Sequence, residues 1–250
     1  MTVRKRIVIT GASSGLGEGM ARQFAARGRD LALCARRTDR LDALAVELRE
    51  AHGVRVLTQA LDVTDHSRVF EVFQGFREEF GTIDRIVVNA GLGKGQPVGT
   101  GRFDANKQTL ETNLVAGLAQ AEAAMEIFRD QRAGHLVFVS SFTALRGFPK
   151  NLTAYAASKA GLATLAEGIR AELTGTPIKV TTLLPGYIDS EMTARAARRN
   201  PLQVGAEAGA VAMVKAVERE PAKAFVPTFP WLPLSVVVRL APASLLRRFA

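Results

Sequence analysis

Tyr155 and Lys159 lie in the run Thr153-Ala-Tyr155-Ala-Ala-Ser-Lys159. Four residues apart on a helix, they share one face and sit one turn from each other. A free tyrosine hydroxyl titrates at about 10. An ammonium one turn away favours the phenolate and lowers that value, so such a pair can give or take a proton near neutral pH. On spacing alone, a surface tyrosine and a solvated lysine are the simpler outcome. The elements that position the pair must decide between the two.

Those elements alternate. Apolar runs at residues 3–10, 30–35, 54–60, 84–88, 135–140, 179–184 and 224–226 read as strands. The first is nearly continuous in apolar residues, as a strand covered on both faces is. Helical patterns fall between the strands, including residues 67–80, 104–130, 155–174 and, broken near Asn200-Pro201, 193–220. This rhythm predicts one doubly wound α/β domain over residues 1–250, a parallel sheet of about seven strands with helices on both faces.

Ligands of such sheets bind at the carboxyl ends of the strands. Thr10-Gly11-Ala-Ser13-Ser14-Gly15-Leu16-Gly17 lies at the first of these ends. Glycine lets the backbone turn sharply and approach a phosphate, and the following helix offers free N–H groups and a positive dipole end. The second strand ends in Ala35-Arg36-Arg37. At this point an acidic side chain holds a ribose 2′-hydroxyl and a basic one accommodates a 2′-phosphate. An arginine fork matches phosphate oxygens, so NADP(H) is expected rather than NAD(H); two surface-loop arginines are the plainer alternative. Asp62-Val63 follows the third strand and either holds an adenine amino group or forms a turn. Asn89-Ala90-Gly91, Ser141 and Pro185-Gly186 close the fourth, fifth and sixth strands. Asn113 sits inside a helical pattern, where its side chain competes for backbone groups; a functional and a solvent-facing asparagine both fit. The convergence of so many polar residues and glycines on one edge favours a proton-handling role for Tyr155 and Lys159.

Composition narrows the classes. The chain is 47% hydrophobic and 23% charged, ordinary for a soluble globular protein. Cys34 is the only cysteine; with no N-terminal signal pattern, it fits a reducing, cytoplasmic setting. A net charge of +9 could attract nucleic acid, acidic lipid or a phosphorylated small molecule. The cations are scattered, in short clusters at Arg4-Lys5-Arg6, Arg36-Arg37, Arg198-Arg199 and Arg247-Arg248. They form no basic stripe interleaved with aromatics, so a nucleic-acid partner is not expected. The three histidines and one cysteine are widely separated and predict no metal site.

Taken together, these motifs resemble the short-chain dehydrogenase/reductase family from residue 3 to about residue 192. The resemblance implies a Rossmann fold, a nicotinamide cofactor and interconversion of a small-molecule carbonyl and an alcohol. It implies that Tyr155 is the general acid/base at the substrate oxygen and that Lys159 lowers its pKa and bonds the nicotinamide ribose. Ser141 would hold the substrate oxygen, and Asn113 would order a water that relays protons to Lys159. The turn residues Gly11, Ser13, Ser14, Gly15, Leu16 and Gly17 would bind the cofactor, with Asn89, Ala90 and Gly91 lining it. Asp62 and Val63 would meet the adenine, and Pro185, Gly186, Ile188 and Ser190 the nicotinamide carboxamide. A homodimer or homotetramer is also implied. Ser141 precedes Tyr155 by fourteen residues, where the family commonly has thirteen, so an extra loop residue is expected near residues 149–152. Ser140 is the other candidate to face the substrate; Ser141 is favoured because it follows the strand. The roles accord with the chemistry: hydride transfer to a carbonyl builds negative charge on oxygen, and two hydroxyl donors aimed there stabilise it.

Residues 190–226 are expected to form a substrate loop and helix. The apolar tail, residues 227–250, is interrupted by Pro230, Pro233, Arg239 and Pro242, too often for the run of about 20 apolar residues that spans a bilayer. Three readings remain for it: a lid over a lipophilic substrate pocket, an oligomer contact, or a membrane-surface helix with Arg239, Arg247 and Arg248 towards headgroups. The competing function on the same fold is a non-catalytic NADP sensor or a basic-surface nucleic-acid binder. The intact Ser/Tyr/Lys/Asn set speaks against it, because a sensor does not need all four.

Overall fold

Strand β1, Arg6–Thr10, has Ile7, Val8 and Ile9 fully buried, so both of its faces are covered. The computed structural model, which describes residues 3–195 and 200–246, shows what covers them. β1 is an interior strand of a seven-stranded sheet of order β3-β2-β1-β4-β5-β6-β7, with every neighbouring pair parallel. The other strands are β2 (Asp30–Ala35), β3 (Val56–Ala60), β4 (Arg85–Val88), β5 (Gly134–Val139), β6 (Ile178–Pro185) and β7 (Lys223–Val226). Successive side chains point to opposite faces. Ile7, Ile9, Leu31, Leu33, Val87 and Val137 pack under helices α1 (Gly15–Ala25), α2 (Thr38–His52) and the later Ala206–Glu218. Val8, Ala32, Ile86, Val88, Leu136 and Phe138 pack under α3 (His66–Phe80) and the helices Ala116–Gln131 and Thr153–Glu172. The doubly wound architecture read from the alternation is therefore the one present.

Three segments differ from expectation. The long helix over residues 104–130 is three pieces: α4 (Phe103–Leu110), a π-helical turn over Glu111–Val115, and α5 (Ala116–Gln131). Helix α6 follows as Thr153–Glu172. The helical pattern over residues 193–220 resolves into a 3₁₀ turn at Thr193–Arg195 and α7 (Ala206–Glu218); Arg198 and Arg199 lie outside the described residues. The apolar tail contains α8 (Thr228–Leu240), with Trp231, Ser235 and Val238 on its buried side. Phe229 is non-helical, so Pro233 falls in the first turn of the continuous part, where proline is tolerated. Arg247 and Arg248 again lie outside the described residues, among which no helix is long and apolar enough to cross a membrane.

The amino ends of the strands carry a buried polar network that composition did not announce. Arg85 opens β4 at 1% exposure, and its Nε donates to His135 Nδ1 at 2.8 Å. Nδ1 is thereby the acceptor, so Nε2 carries the proton and donates to Thr181 Oγ1 at 2.9 Å. Thr181 passes the chain on to the Pro221 carbonyl, while Glu218 and Glu220 neutralise Arg85. Burial, then the charges of Arg85 and Arg4, hold the His135 pKa well below its ordinary 6.5. The folded chain therefore binds fewer protons here than the unfolded one, and this contribution to stability is lost as pH falls below about 6.5. The urea midpoint is expected to drop between pH 7 and pH 5, with a smaller slope in His135→Gln; equal slopes would rule out the neutral tautomer.

Candidate active site

The cleft begins where β1 and β4 end side by side and their connections diverge. The Thr10 hydroxyl ties the two ends together: it accepts from the backbone N–H of Asn89 and of Ala90, each at 3.0 Å. The Asn89 amide returns a bond to the Thr10 carbonyl at 2.9 Å. Gly11 has φ +63 and lies so close to Ala90 that a Cβ would stand 2.9 Å from its Cα. Both constraints require glycine. Gly17 is glycine for another reason, since a Cβ there would run into the Gly11 carbonyl and the Asn89 amide. The start of α1 is thus drawn tight against the turn, with its free N–H groups at the cleft.

Helix α6 brings in the reactive side chains. Tyr155 lies beside the Ser141 side chain, close enough for that hydroxyl to lower its pKa, and Ser141 accepts from the Thr143 N–H and hydroxyl at 3.2 and 3.0 Å. Ser140 turns the other way and donates to the Lys159 carbonyl at 2.7 Å. Of the two serines, Ser141 is the one whose hydroxyl acts on the tyrosine. Between Ser141 and Tyr155 the chain makes a 3₁₀ turn, Lys150–Leu152, in which Lys150 takes φ +58.

Lys159 is 4% exposed; its ammonium donates to the Val139 carbonyl at 2.9 Å and lies 5.9 Å from the centre of the Tyr155 ring. The expectation that it lowers the Tyr155 pKa does not hold for this arrangement. Burial raises the Tyr155 phenol, offset in part by the Ser141 hydroxyl. Lys159 is itself lowered by desolvation, to about 8. The ammonium stands over the ring rather than at the hydroxyl, and the dry surroundings dominate both groups.

Asn113 is buried inside the π-helical turn, an irregularity common at functional sites. Its Oδ1 accepts from the Leu92 N–H at 2.7 Å; its Nδ2 donates to the Leu92 carbonyl at 2.9 Å and to Ser158 Oγ at 3.0 Å. It is neither solvent-facing nor on the cleft wall. It clamps the segment after β4 that carries Gly91. A Cβ on Gly91 would stand 3.3 Å from both Asn113 Oδ1 and Lys159 Nζ, so that glycine lets the two side chains close around the backbone.

The resulting cleft is about 760 Å³. Its wall carries Gly11, Ser13, Ser14, Gly15, Leu16, Arg36, Arg37, Asp62, Val63, Asn89, Ala90, Gly91, Ser141, Tyr155, Lys159, Pro185, Gly186, Ile188 and Ser190. Of the residues singled out from sequence, Gly17 and Asn113 stand behind the wall. Asp62 forms a turn as well as lining the cleft: its Oδ1 accepts from the Thr64 N–H and hydroxyl at 3.0 and 2.8 Å. Burial acts to raise its pKa, but the Thr64 bonds and Arg36, 3.7 Å away, outweigh it and the carboxyl is lowered. The two arginines differ. Arg36 is 72% exposed, whereas Arg37 donates to Ser14 Oγ at 2.6 Å and Ser13 Oγ at 3.3 Å and so joins the β2 end to the glycine turn. Leu92, Glu191 and Met192 also line the cleft and were not singled out. Thr10 and Ser158, which sit next to Gly11 and Lys159 in sequence, could have been found from that adjacency. Behind Gly186 lies Trp231 of α8, so close that a Cβ on Gly186 would fall within the indole ring.

The sequence matches the short chain dehydrogenase family over residues 5–201. It is 53% identical over 248 residues to an uncharacterised oxidoreductase of Mycobacterium tuberculosis, spanning 99% of this chain and 98% of that one. Among solved structures, a short-chain dehydrogenase from Sphingobium yanoikuyae in complex with NADPH superposes with a TM-score of 0.81 at 28% identity, covering 94% of both chains. A short chain dehydrogenase/reductase from Burkholderia phymatum in complex with NAD gives a TM-score of 0.83 over 98% of this chain and 95% of that one. At 23% identity, this second likeness speaks to the fold alone.

A buried ammonium held by one carbonyl costs stability wherever it is charged, which for Lys159 means below about pH 8. Lys159→Met is therefore expected to raise unfolding free energy by about 1–3 kcal/mol, what remains of the desolvation penalty once Val139 loses its donor. Urea denaturation at pH 7 measures it, and a lower midpoint would contradict the account.

Proposed function

The chain belongs to the short-chain dehydrogenase family and is an oxidoreductase, and from that premise we propose that it interconverts a ketone or aldehyde and an alcohol with NADP(H), Tyr155 acting as proton donor and acceptor. The observation that carries the reading is the Ser141–Tyr155 hydroxyl pair, backed by the buried Lys159 ammonium, on the wall of a cleft entered by a glycine turn.

The glycine turn fits a dinucleotide: Cβ atoms at Gly11 and Gly17 would displace its backbone, and the N-terminus of α1 is an anion site. Gly11 through Gly15 would hold the pyrophosphate, Asp62 and Val63 the adenine end, Asn89 to Gly91 the middle, and Pro185 to Ser190 the nicotinamide. Bound there, the nicotinamide supplies or takes the hydride. The side chains do the rest. As a carbonyl carbon is reduced, charge grows on its oxygen, and two hydroxyls aimed at that oxygen stabilise it. Tyr155 then gives up its proton. Burial raises this phenol above its ordinary value, so it stands ready as a proton donor when a carbonyl is reduced. Lys159, three donors on a buried stem, would bond the ribose and return the proton, with Asn113 holding Leu92 and the loop beside it.

Arg36 and Arg37 at the β2 end support a 2′-phosphate, hence NADP(H) over NAD(H). Packing of α8 against Phe142, the residue after Ser141, and against Gly186 supports a role for the tail in bracing the loops at the substrate end of the cleft. The exposed apolar residues Leu110, Val115 and Leu118 support self-association as a homodimer or homotetramer.

Tyr155→Phe is expected to fold, bind NADPH and lose turnover by about 10²–10⁴-fold, the usual worth of a general acid; wild-type rates in a cofactor-coupled absorbance screen of ketones and alcohols would sink the assignment. NADPH is expected to bind the wild type more tightly than NADH, with the order reversed in Arg36→Asp. Equal affinities in the wild type would remove the 2′-phosphate argument.

A further inference from the structure

Arg37 and Arg40 hold one carboxylate between them. Arg37 Nη1 donates to both oxygens of Glu191, at 3.3 and 3.0 Å, and Arg40 Nη1 donates to Oε1 at 2.5 Å. The remaining Arg37 nitrogens are spent on Ser14 and Ser13 of the glycine turn. The cations come from the end of β2 and the first turn of α2; the anion comes from the loop after β6, on the opposite bank. Arg37 and Glu191 both face the cleft. Hydrogen bonds from Arg40 and then Arg37 hold the Glu191 carboxyl down at about 2.

A carboxylate in a guanidinium fork has the geometry that a phosphate oxygen pair adopts there. A second, dianionic group cannot enter the same fork without like-charge repulsion. We propose that Glu191 is a place-holder for the 2′-phosphate of NADP(H), that Arg40 is a further ligand of that phosphate, and that cofactor binding displaces Glu191 from both arginines. The inference rests on the reading that this end of the cleft receives a 2′-phosphate. Displacement costs little, because all three side chains are 40–49% exposed and such pairs are weak.

The consequence reaches the other end of the site. Residues 190–193 are tied to one another and to Ile188: the Ser190 N–H donates to Thr193 Oγ1 at 2.8 Å, and Thr193 Oγ1 donates to the Ile188 carbonyl at 3.0 Å. Met192 in this unit lies against Gly93 across the cleft. Letting go of Glu191 therefore frees the segment that carries Met192. NAD(H), lacking the phosphate, leaves the latch closed. The same contact thus opposes NADP(H) slightly and reports its arrival to the substrate side.

The test is a fluorescence titration of NADPH and of NADH into the wild type, Glu191→Gln, Arg40→Ala and Arg37→Ala. Glu191→Gln is expected to tighten NADPH roughly two- to fivefold, the range an exposed ion pair is worth, and to leave NADH where it was. Arg40→Ala is expected to weaken NADPH alone. Amide exchange over residues 187–193 should be faster in the NADPH complex than in the NADH complex of the wild type, and the same in both complexes of Glu191→Gln. Unchanged NADPH affinity in Glu191→Gln, or equal exchange in the two wild-type complexes, overturns the place-holder. Arg36→Asp, titrated alongside, separates the layers: an unchanged NADPH-to-NADH ratio there removes the 2′-phosphate reading itself, and an unchanged ratio in Arg37→Ala removes Arg37 as a ligand of that phosphate. A lowered ratio beside an inert Glu191→Gln removes only the latch.

Discussion

An ammonium taken out of water needs acceptors, and Lys159 has been given the Val139 carbonyl at the end of a sheet strand. Much of the site is arranged around that burial. The acceptor exists because β5 ends there and its last carbonyl points up into the cleft. The lysine reaches it because α6 lies across the sheet, pinned at its own backbone by Ser140, which donates to the Lys159 carbonyl. The space beside the ammonium is kept by Gly91, and Gly91 is kept in place by Asn113 gripping the next residue, Leu92. A larger side chain or a looser loop would let water reach the amine, and its depressed titration would relax. The cost in stability is the usual companion of a prepared active site.

Close approach is the second organising theme. Gly11 against Ala90, Gly17 against Gly11, Gly91 against Lys159 and Gly186 against Trp231 are all places where one atom more would separate two elements. Each brings a helix or loop nearer to a strand end than ordinary side chains allow. Together they set the depth of the cleft. The hydroxyl of Thr10 does the complementary work, stitching together the ends of β1 and β4 where their onward chains diverge.

The C-terminal segment belongs to this system rather than to the sheet. Trp231, Phe142, Phe148 and Val238 form a small apolar cluster of their own. Phe142 and Trp231 meet edge to face with centroids 4.8 Å apart, a favoured aromatic geometry. Through Phe142 the cluster buttresses the loop that carries Ser141, and through Gly186 the loop that follows β6. The outward residues of α8, Leu232, Val236, Val237 and Leu240, remain exposed.

Much of this was legible in the residues themselves. Runs such as Ile7-Val8-Ile9 read as covered strands, and a parallel sheet puts every strand's carboxyl end on one edge. Residues as distant as Gly11, Arg36, Asn89, Ser141 and Pro185 were therefore bound to meet. The four-residue spacing of Tyr155 and Lys159 likewise survives folding, because it is a property of the helix alone. What the chain could not disclose is anything set by through-space neighbours. Whether Tyr155 is made more or less acidic depends on how dry its surroundings are and where the ammonium points. Asn113 turned inward because Leu92 and Ser158 came within reach of its amide. Arg37 parted from Arg36 because Ser13, Ser14 and Glu191 stood on one side of the β2 end. Arg85 and His135 could be buried only because β4, β5 and α7 assemble around them. Local order follows from short-range geometry that the sequence carries; burial, charge partners and pKa follow from packing, which exists only once the whole chain has folded.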